Sequence, residues 1–300
     1  MLNLLREQRG SAVVIMALSI TMLMGFGAIT VDLGNLYLNK TRLANMADAA
    51  ALAGVQDLPD DPQGAVASSY AYAGQNGMGS DAVQVTLSDN NTVVTVNATR
   101  QVPLFFAKIF DMTVSNVSVR AAAAIRTITG TTGVVPFGIV KQQFIYGQRY
   151  ILKAGGGGGY DGNFGALSLG GTGAAIYIGN IKFGYNGRLY VGEWVATETG
   201  NMSGPSDQGV SYRMGLDSAA TFETVQKGSA RIMIVPIIDS LTVNGRNEVL
   251  IVGFGAFFLE GSGGSGKDNY ITGRFMQMVI PGEVGNGSEN YGAYGSTLIE

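Results

Sequence analysis

The chain contains neither cysteine nor histidine, and these two absences exclude most of the common enzyme designs. Without cysteine it forms no disulfide and carries no thiol nucleophile. Without histidine it has no Ser-His-Asp triad, no Cys-His dyad and no histidine-ligated zinc. A phosphate-binding loop is also missing from the sequence. We therefore expect that the protein is not an enzyme and that it has no catalytic, cofactor-binding or metal-binding residues.

Charged residues are scarce as well. They make up 14% of the 300 residues, against roughly 25% in an average soluble domain. The formal net charge is −3, and no stretch combines basic residues with interleaved aromatics, so we expect no nucleic-acid partner. Forty-five glycines and many uncharged polar residues replace the missing charges. This composition is typical of a bacterial surface or secreted protein.

One long apolar run is present near the N-terminus, at residues 11–31. A helix over these 21 uncharged residues is about 30 Å long, which matches the hydrocarbon thickness of a bilayer. A cleaved signal peptide is the alternative, but its apolar core is shorter, about 7–15 residues, and ends at a small-residue cleavage motif. The length therefore favours an uncleaved, single-pass transmembrane helix.

The charges beside this run indicate its orientation. Arg6 and Arg9 precede it, and Lys40 with Arg42 follows within reach of the membrane surface, so the charge bias is small. A leader of only ten residues still favours an N-terminus inside the cell. We predict a cytoplasmic leader over residues 1–10, and a location in the cell membrane with the C-terminal domains outside the cytoplasm.

The helical pattern continues beyond the apolar run as a stalk over residues 32–55. This segment has no proline, is rich in helix-forming residues and places apolar residues along one side. We expect that side to pack against a globular head or against a partner helix. The candidate interaction residues of this stripe are Leu36, Leu43, Met46 and Ala50.

The remaining sequence predicts two further units. Residues 56–126 read as a small, pilin-like α+β module with a short helix, a hairpin, a helical turn and a third strand. Residues 127–133 read as a linker. Residues 134–300 consist of short alternating or apolar runs closed by glycine and polar residues, which predicts an all-β sandwich or barrel-like domain without helices. The fold class is α+β.

A second hypothesis assigns this β-domain a chemistry of its own. Four carboxylates fall within 25 residues, and two of them could face each other across a cleft, as glycosidases require. Trp194 or the tyrosines could provide a platform for a sugar. The alternative function is therefore an anchored surface carbohydrate-binding or hydrolase domain. Its candidate acids are Glu193, Glu198, Asp207 and Asp217.

Four strings in the first 126 residues resemble a known family. R-G-S-A-V-V begins at Arg9, G-A-I-T-V-D-L-G at Gly27, N-M-A-D-A-A-A-L-A-G at Asn45 and V-P-L-F-F-A at Val102. Together they are similar to the N-terminal region of TadE/TadG-like proteins of the tight-adherence (Flp) pilus systems. The resemblance implies a structural or assembly protein at the cell surface. Its partners would be the membrane and other pilus components, or a second copy through the N-terminal helix.

Two departures narrow that expectation. Larger TadG members carry a von Willebrand-type domain whose metal site begins with D-x-S-x-S, and this string does not occur in the sequence. Prepilin-like members are cut after a glycine and have glutamate at the fifth mature position, where this chain has Ile15 after Gly10. The resemblance therefore implies neither a metal site nor a processed filament subunit.

Overall fold

The computed structural model describes residues 8–154, 162–198, 202–241, 247–264, 268–285 and 289–299. Most of the predicted cytoplasmic leader, residues 1–7, lies outside them. The predicted long helix is confirmed as one unbroken element, α1, Gln8–Val55. Its 48 residues include both the apolar run and the stalk. We call the part of the chain that follows α1 the head.

The first unit of the head has the predicted order of helix, hairpin, helical turn and strand. Asp61 caps the first of these helices, since its carboxylate accepts the N–H of Gly64 at 2.7 Å and proline occupies the first helical position. Antiparallel pairing joins the first two strands over seven positions. The bounds are α2 Pro62–Gln75, β1 Ala82–Ser88, β2 Val93–Pro103, a 3₁₀ turn η1 Ala107–Phe110, and β3 Val114–Thr131.

The predicted linker over residues 127–133 is mostly strand instead. β3 is 18 residues long, and its last part pairs with strands from the C-terminal half of the chain, including Thr127 with Tyr294. Ile128 is buried there against apolar residues of that half. The alternation of β-branched and polar residues favours a strand once neighbouring strands are available. The head therefore has two halves, the first unit over residues 56–126 and the C-terminal half over residues 134–300, and the continuous strand β3 joins them.

The C-terminal half is β-rich, as predicted, and six of its strands close into a barrel. The order is β11-β5-β6-β4-β9-β10, and β10 pairs back with β11. The strands of the whole C-terminal half, within the barrel and outside it, are β4 Phe137–Val140, β5 Arg149–Ala154, β6 Gly162–Ala166, β7 Leu189–Tyr190, β8 Trp194–Ala196, β9 Ile232–Ile238, β10 Glu248–Gly263, β11 Tyr270–Met276, β12 Met278–Val279, β13 Glu283–Val284 and β14 Ala293–Leu298. The barrel interior is lined by apolar side chains from five strands: Phe137, Ile139, Leu152, Met233, Val235, Phe257 and Ile271.

Two helices in this half were not expected, since the sequence analysis predicted none after residue 134. They are α3 Ala174–Phe183 and α4 Ser203–Leu216, which pack against each other. α4 is rich in glycine and serine, so its intrinsic helix propensity is low. Tertiary packing against α3 stabilises it. The two helices are so close that a Cβ at Gly209 would lie 2.4 Å from the side chain of Ile181 in α3. Only a glycine allows the two helices to approach this closely.

The last strand returns to the first unit. β14 pairs antiparallel with β3 and extends the order β1-β2-β3-β14. Gln56, directly after α1, donates its amide to Ser296 at 2.8 Å. Lys227 forms an ion pair with Asp57 at 3.1 Å. The residues directly after α1 are thus in contact with the C-terminal half of the head.

Candidate functional site: the apolar helix and its junction with the head

The N-terminal part of α1 makes almost no contact with the head. Residues 11–31 are exposed except for the half-buried Ala28, and their large apolar side chains are 41–71% exposed. The most apolar 18-residue window has a mean hydropathy of 2.3. By length and composition, this helix suggests a single-pass membrane anchor.

Residues 11–31 contain four hydroxyl groups, and three of them donate to a carbonyl of the same helix. Ser19 donates to Ile15 at 2.8 Å, and Thr21 donates to Ala17 at 2.9 Å. Thr30 donates to Phe26 at 2.8 Å. A hydroxyl in a bilayer needs such a partner because no water is available in the hydrocarbon. The polar groups of this helix are therefore compatible with an apolar surrounding.

The predicted interaction stripe belongs to the core of the head. Leu43, Met46 and Ala50 are at most 1% exposed, and the half-buried Leu36 packs against the same cluster. The side of α1 that carries them contacts α2, β2 and β3. Of the two partners considered for this stripe, the structure brings it against the head of the same chain. Buried residues cannot at the same time form an interface with a second subunit.

Asp32 joins the end of the apolar run to the head. One of its carboxylate oxygens accepts the backbone N–H of Phe105 at 2.7 Å, and the other accepts those of Phe106 at 3.0 Å and Ala107 at 2.8 Å. The Asp32 residue is only 6% exposed. Three hydrogen bonds to one ionised group are individually stronger than neutral ones. This carboxylate therefore fixes the loop after β2 to the helix.

A second set of polar contacts continues this junction toward the head. Asn35 donates its amide to the carbonyl of Pro103 at 3.1 Å, and Asn39 donates to the Asn35 side chain at 3.0 Å. Arg100 pairs with Asp81 at 2.7 Å. The hydrogen bond that Arg100 donates to Asp81 raises the pKa of Arg100, whereas burial lowers it. With the contact of Arg100 to Asn39 at 3.5 Å, β2 and the loop after it are held beside α1 from Asp32 to Asn39.

The sequence analysis did not single out Asp32 or Asn35 as functional residues. The available signal was a carboxylate and an amide at positions i and i+3 directly after an apolar run, where a buried polar residue needs a partner. The sequence does not indicate the partner, because the loop that donates its N–H groups to Asp32 is more than 70 residues away.

The four carboxylates of the alternative hypothesis each stabilise a different local contact. Glu193 accepts the N–H of Tyr190 at 3.0 Å, and Glu198 accepts that of Gly173 at 2.7 Å. Asp207 accepts the Asn269 amide at 3.0 Å, and Asp217 accepts the hydroxyl of Ser229. Trp194 of β8 is 57% exposed.

No metal site is evident in the part of the chain that the structure describes. Within that part, no group of three or more acidic residues is placed to hold an ion.

One comparison with known families concerns the segment that contains α1. Residues 10–57 match the model of the Tad family, TadE/G-like Flp pilus assembly. This N-terminal segment is similar to TadE/G-like proteins. The Tad segment contains the apolar run, Asp32 and the buried stripe, and it ends two residues after α1. The match confirms the resemblance over these residues and supports a role associated with Flp pilus assembly. No curated protein and no solved structure matches the chain.

Proposed function

We propose that the protein is a membrane-anchored assembly protein of a tight-adherence (Flp) pilus system that acts through protein contacts made outside the cytoplasm. The observation that carries the proposal is the division of α1 within the Tad segment. Its first half is apolar and exposed, and its second half is part of the core of the head. Such a helix holds a folded head at a constant distance from the membrane.

The proposed orientation, with the N-terminal side of the span in the cytoplasm, rests on the basic residues that precede the span. Arg6 and Arg9 lie within the first ten residues, whereas the head of more than 200 residues follows the span. Lys40 and Arg42, after the span, are exposed and can lie among lipid headgroups. In this orientation the head is presented outside the cytoplasm.

Because the chain has no native cysteine, a single introduced cysteine can be labelled to test the orientation. Two single-cysteine variants, Asn3→Cys in the leader and Ser88→Cys at the end of β1, are treated in intact spheroplasts with a maleimide that does not cross membranes. We expect labelling at position 88 and none at position 3 until the membrane is opened with detergent. The reverse pattern would overturn the orientation, and release of the protein from carbonate-washed membranes would overturn the anchor.

Because the stripe packs in the core of the head, other pilus proteins would contact either the surface of the head or the exposed half of α1. Replacing residues 11–31 by an unrelated Leu-Ala helix of equal length keeps an anchor and removes the specific face. We expect the exchanged chain to keep its co-purification with other pilus components if the head makes the contacts, and to lose it if the helix does. An unaltered chain that co-purifies with no pilus component, in cells whose pili assemble normally without it, would contradict the proposal.

The head then works by binding and not by catalysis. In support of this, each of the four candidate acids accepts a hydrogen bond from a different loop or helix end. We expect the purified full chain in detergent to release no sugar from the cell's own polysaccharides. Turnover that disappears in Glu193→Gln or Glu198→Gln, and persists in the control Glu248→Gln, would favour the anchored hydrolase instead.

A further inference from the structure

The connection between β2 and β3, which we call the hairpin tip, residues 104–113, carries unusually exposed apolar side chains. Its backbone is closed by the N–H of Leu104, which donates to Thr113 at 3.0 Å, while the Leu104 side chain is buried. The side chains beyond it point away from the core. Those exposed are Phe105 at 57%, Phe106 at 44%, Ile109 at 81%, Phe110 at 78% and Met112 at 57%.

A patch of this kind on a folded surface indicates a contact with something apolar. Two phenylalanines among the five are more than 50% exposed, and η1 buries none of its residues. The exposed side chains are therefore not needed to hold the turn together. The turn is held instead by the Asp32 carboxylate and by its own backbone.

The contacts along α1 show where the tip lies relative to the apolar helix. Arg100 is beside Asn39, Pro103 is beside Asn35, and Phe105 is beside Asp32. β2 therefore runs toward the N-terminal end of α1, and the tip extends this path beyond Pro103. Asp32 is the first residue after the predicted span. The tip consequently lies where the helix leaves the membrane.

We propose that the hairpin tip inserts into the interface of the same bilayer that α1 spans and gives the protein a second membrane contact. The inference rests on the proposed anchor. The partner that covers the hairpin tip is the lipid surface. The headgroup region on each side of a bilayer is only about 5–8 Å thick and begins at the end of the span. A loop hydrogen-bonded to Asp32 lies within that layer for either orientation of the helix.

The chemistry of the tip suits this layer. Aromatic and aliphatic side chains bury into the boundary between headgroups and acyl chains. Lys108 is exposed between them, and its long side chain can reach lipid phosphates while its methylenes stay in the apolar layer. Tyr37 of α1, 76% exposed and just beyond the span, is a residue typical of the same depth. Two contacts instead of one restrict the tilt of the head over the membrane.

Single-cysteine variants of the full chain test this insertion. Ile109→Cys places an environment-sensitive fluorophore in the tip, and Ser88→Cys places it near the opposite end of β2. Ten residues of strand separate Val93, the pairing partner of Ser88, from Pro103, so the two probes are about 30 Å apart. Each variant is reconstituted at one copy per nanodisc of phosphatidylcholine and phosphatidylglycerol. Flotation with lipid vesicles measures the anchor separately.

We expect the probe at position 109 to emit at shorter wavelength than the probe at 88. We also expect it to be quenched at least about two-fold more by nitroxide lipids, and at least about two-fold less by aqueous iodide. Equal quenching at the two positions in protein that floats would overturn the insertion while leaving the anchor in place. Failure to float would overturn the anchor and this inference together. Protection of position 109 only when several copies share a vesicle would show that a second copy covers the tip, which also refutes insertion.

Discussion

The carboxylate of Asp32 accepts the backbone N–H of Phe105 at 2.7 Å, although 73 residues separate them in the chain. This contact joins the point where α1 ends its apolar run to the loop at the end of β2. The head cannot rotate about the helix without breaking this hydrogen bond, so the bond fixes the position of the head relative to the anchor.

Asp32→Asn should loosen the hairpin tip. Asparagine has one acceptor oxygen and would direct an amide N–H₂ toward N–H groups, so it cannot replace the two oxygens that accept three hydrogen bonds. We expect faster hydrogen exchange at the amides of residues 105–107 in the full chain in nanodiscs. The control Asp111→Asn makes the same change of charge in the same loop at an exposed position. Equal protection in both variants would show that the carboxylate does not hold the loop.

Leu43→Ala should destabilise the head. Leu43 is fully buried in the core formed by α1, α2 and the first sheet, so truncation removes apolar contact and leaves a cavity. We expect a loss of about 2–5 kcal/mol in the free energy of unfolding, measured by denaturant titration in detergent. Leu38→Ala on the same helix, at a position 46% exposed, should change it by less than about 0.5 kcal/mol. Similar losses in both variants would mean that the stripe is not the part of α1 that packs.

Leu23→Arg should impair insertion of the anchor. Leu23 is 71% exposed and lies within the apolar run, where a charge costs about 2.5–3.5 kcal/mol on the insertion scale. We expect a larger fraction of this variant to be released from membranes by carbonate. Tyr37→Arg, at a position 76% exposed beyond the span, should remain in the membrane like the unaltered chain. Retention of both variants to the same degree would argue that residues 11–31 do not cross the bilayer.

Alkaline pH should destabilise the head through the ionisation of Tyr146. Burial raises the pKa of Tyr146 to about 12, and Tyr294, Asp60 and Tyr150 add to the effect. The folded pKa lies above the unfolded value of about 10, so the contribution to stability is complete below pH 10 and is lost as the pH rises toward 12. Tyr146→Phe should therefore lose less stability between pH 9 and pH 11.5 than the unaltered chain. The control Tyr72→Phe, at a position 47% exposed, should follow the unaltered chain.

Elements that depend on local pattern were predicted well. The long helix, the short helix after Asp61 and the β1–β2 hairpin follow from helical or alternating periodicity, and each is present in the structure in the predicted order. α4 was missed because its glycine and serine content opposes a helix in isolation. The stretch 127–133 was misread as a linker because the strands that pair with it come from residues far along the chain.

The sequence by itself determined the apolar length of the anchor, the amphipathic continuation of its helix and the Tad character of residues 10–57, because these depend on neighbours a few positions apart. Tertiary structure alone decided what the stripe packs against, which loop Asp32 holds and where the exposed hairpin tip lies. These outcomes depend on the return of β2 along α1 and of β14 to β3. Contacts between distant segments form only when the whole set of strands and helices packs, and no local periodicity encodes them.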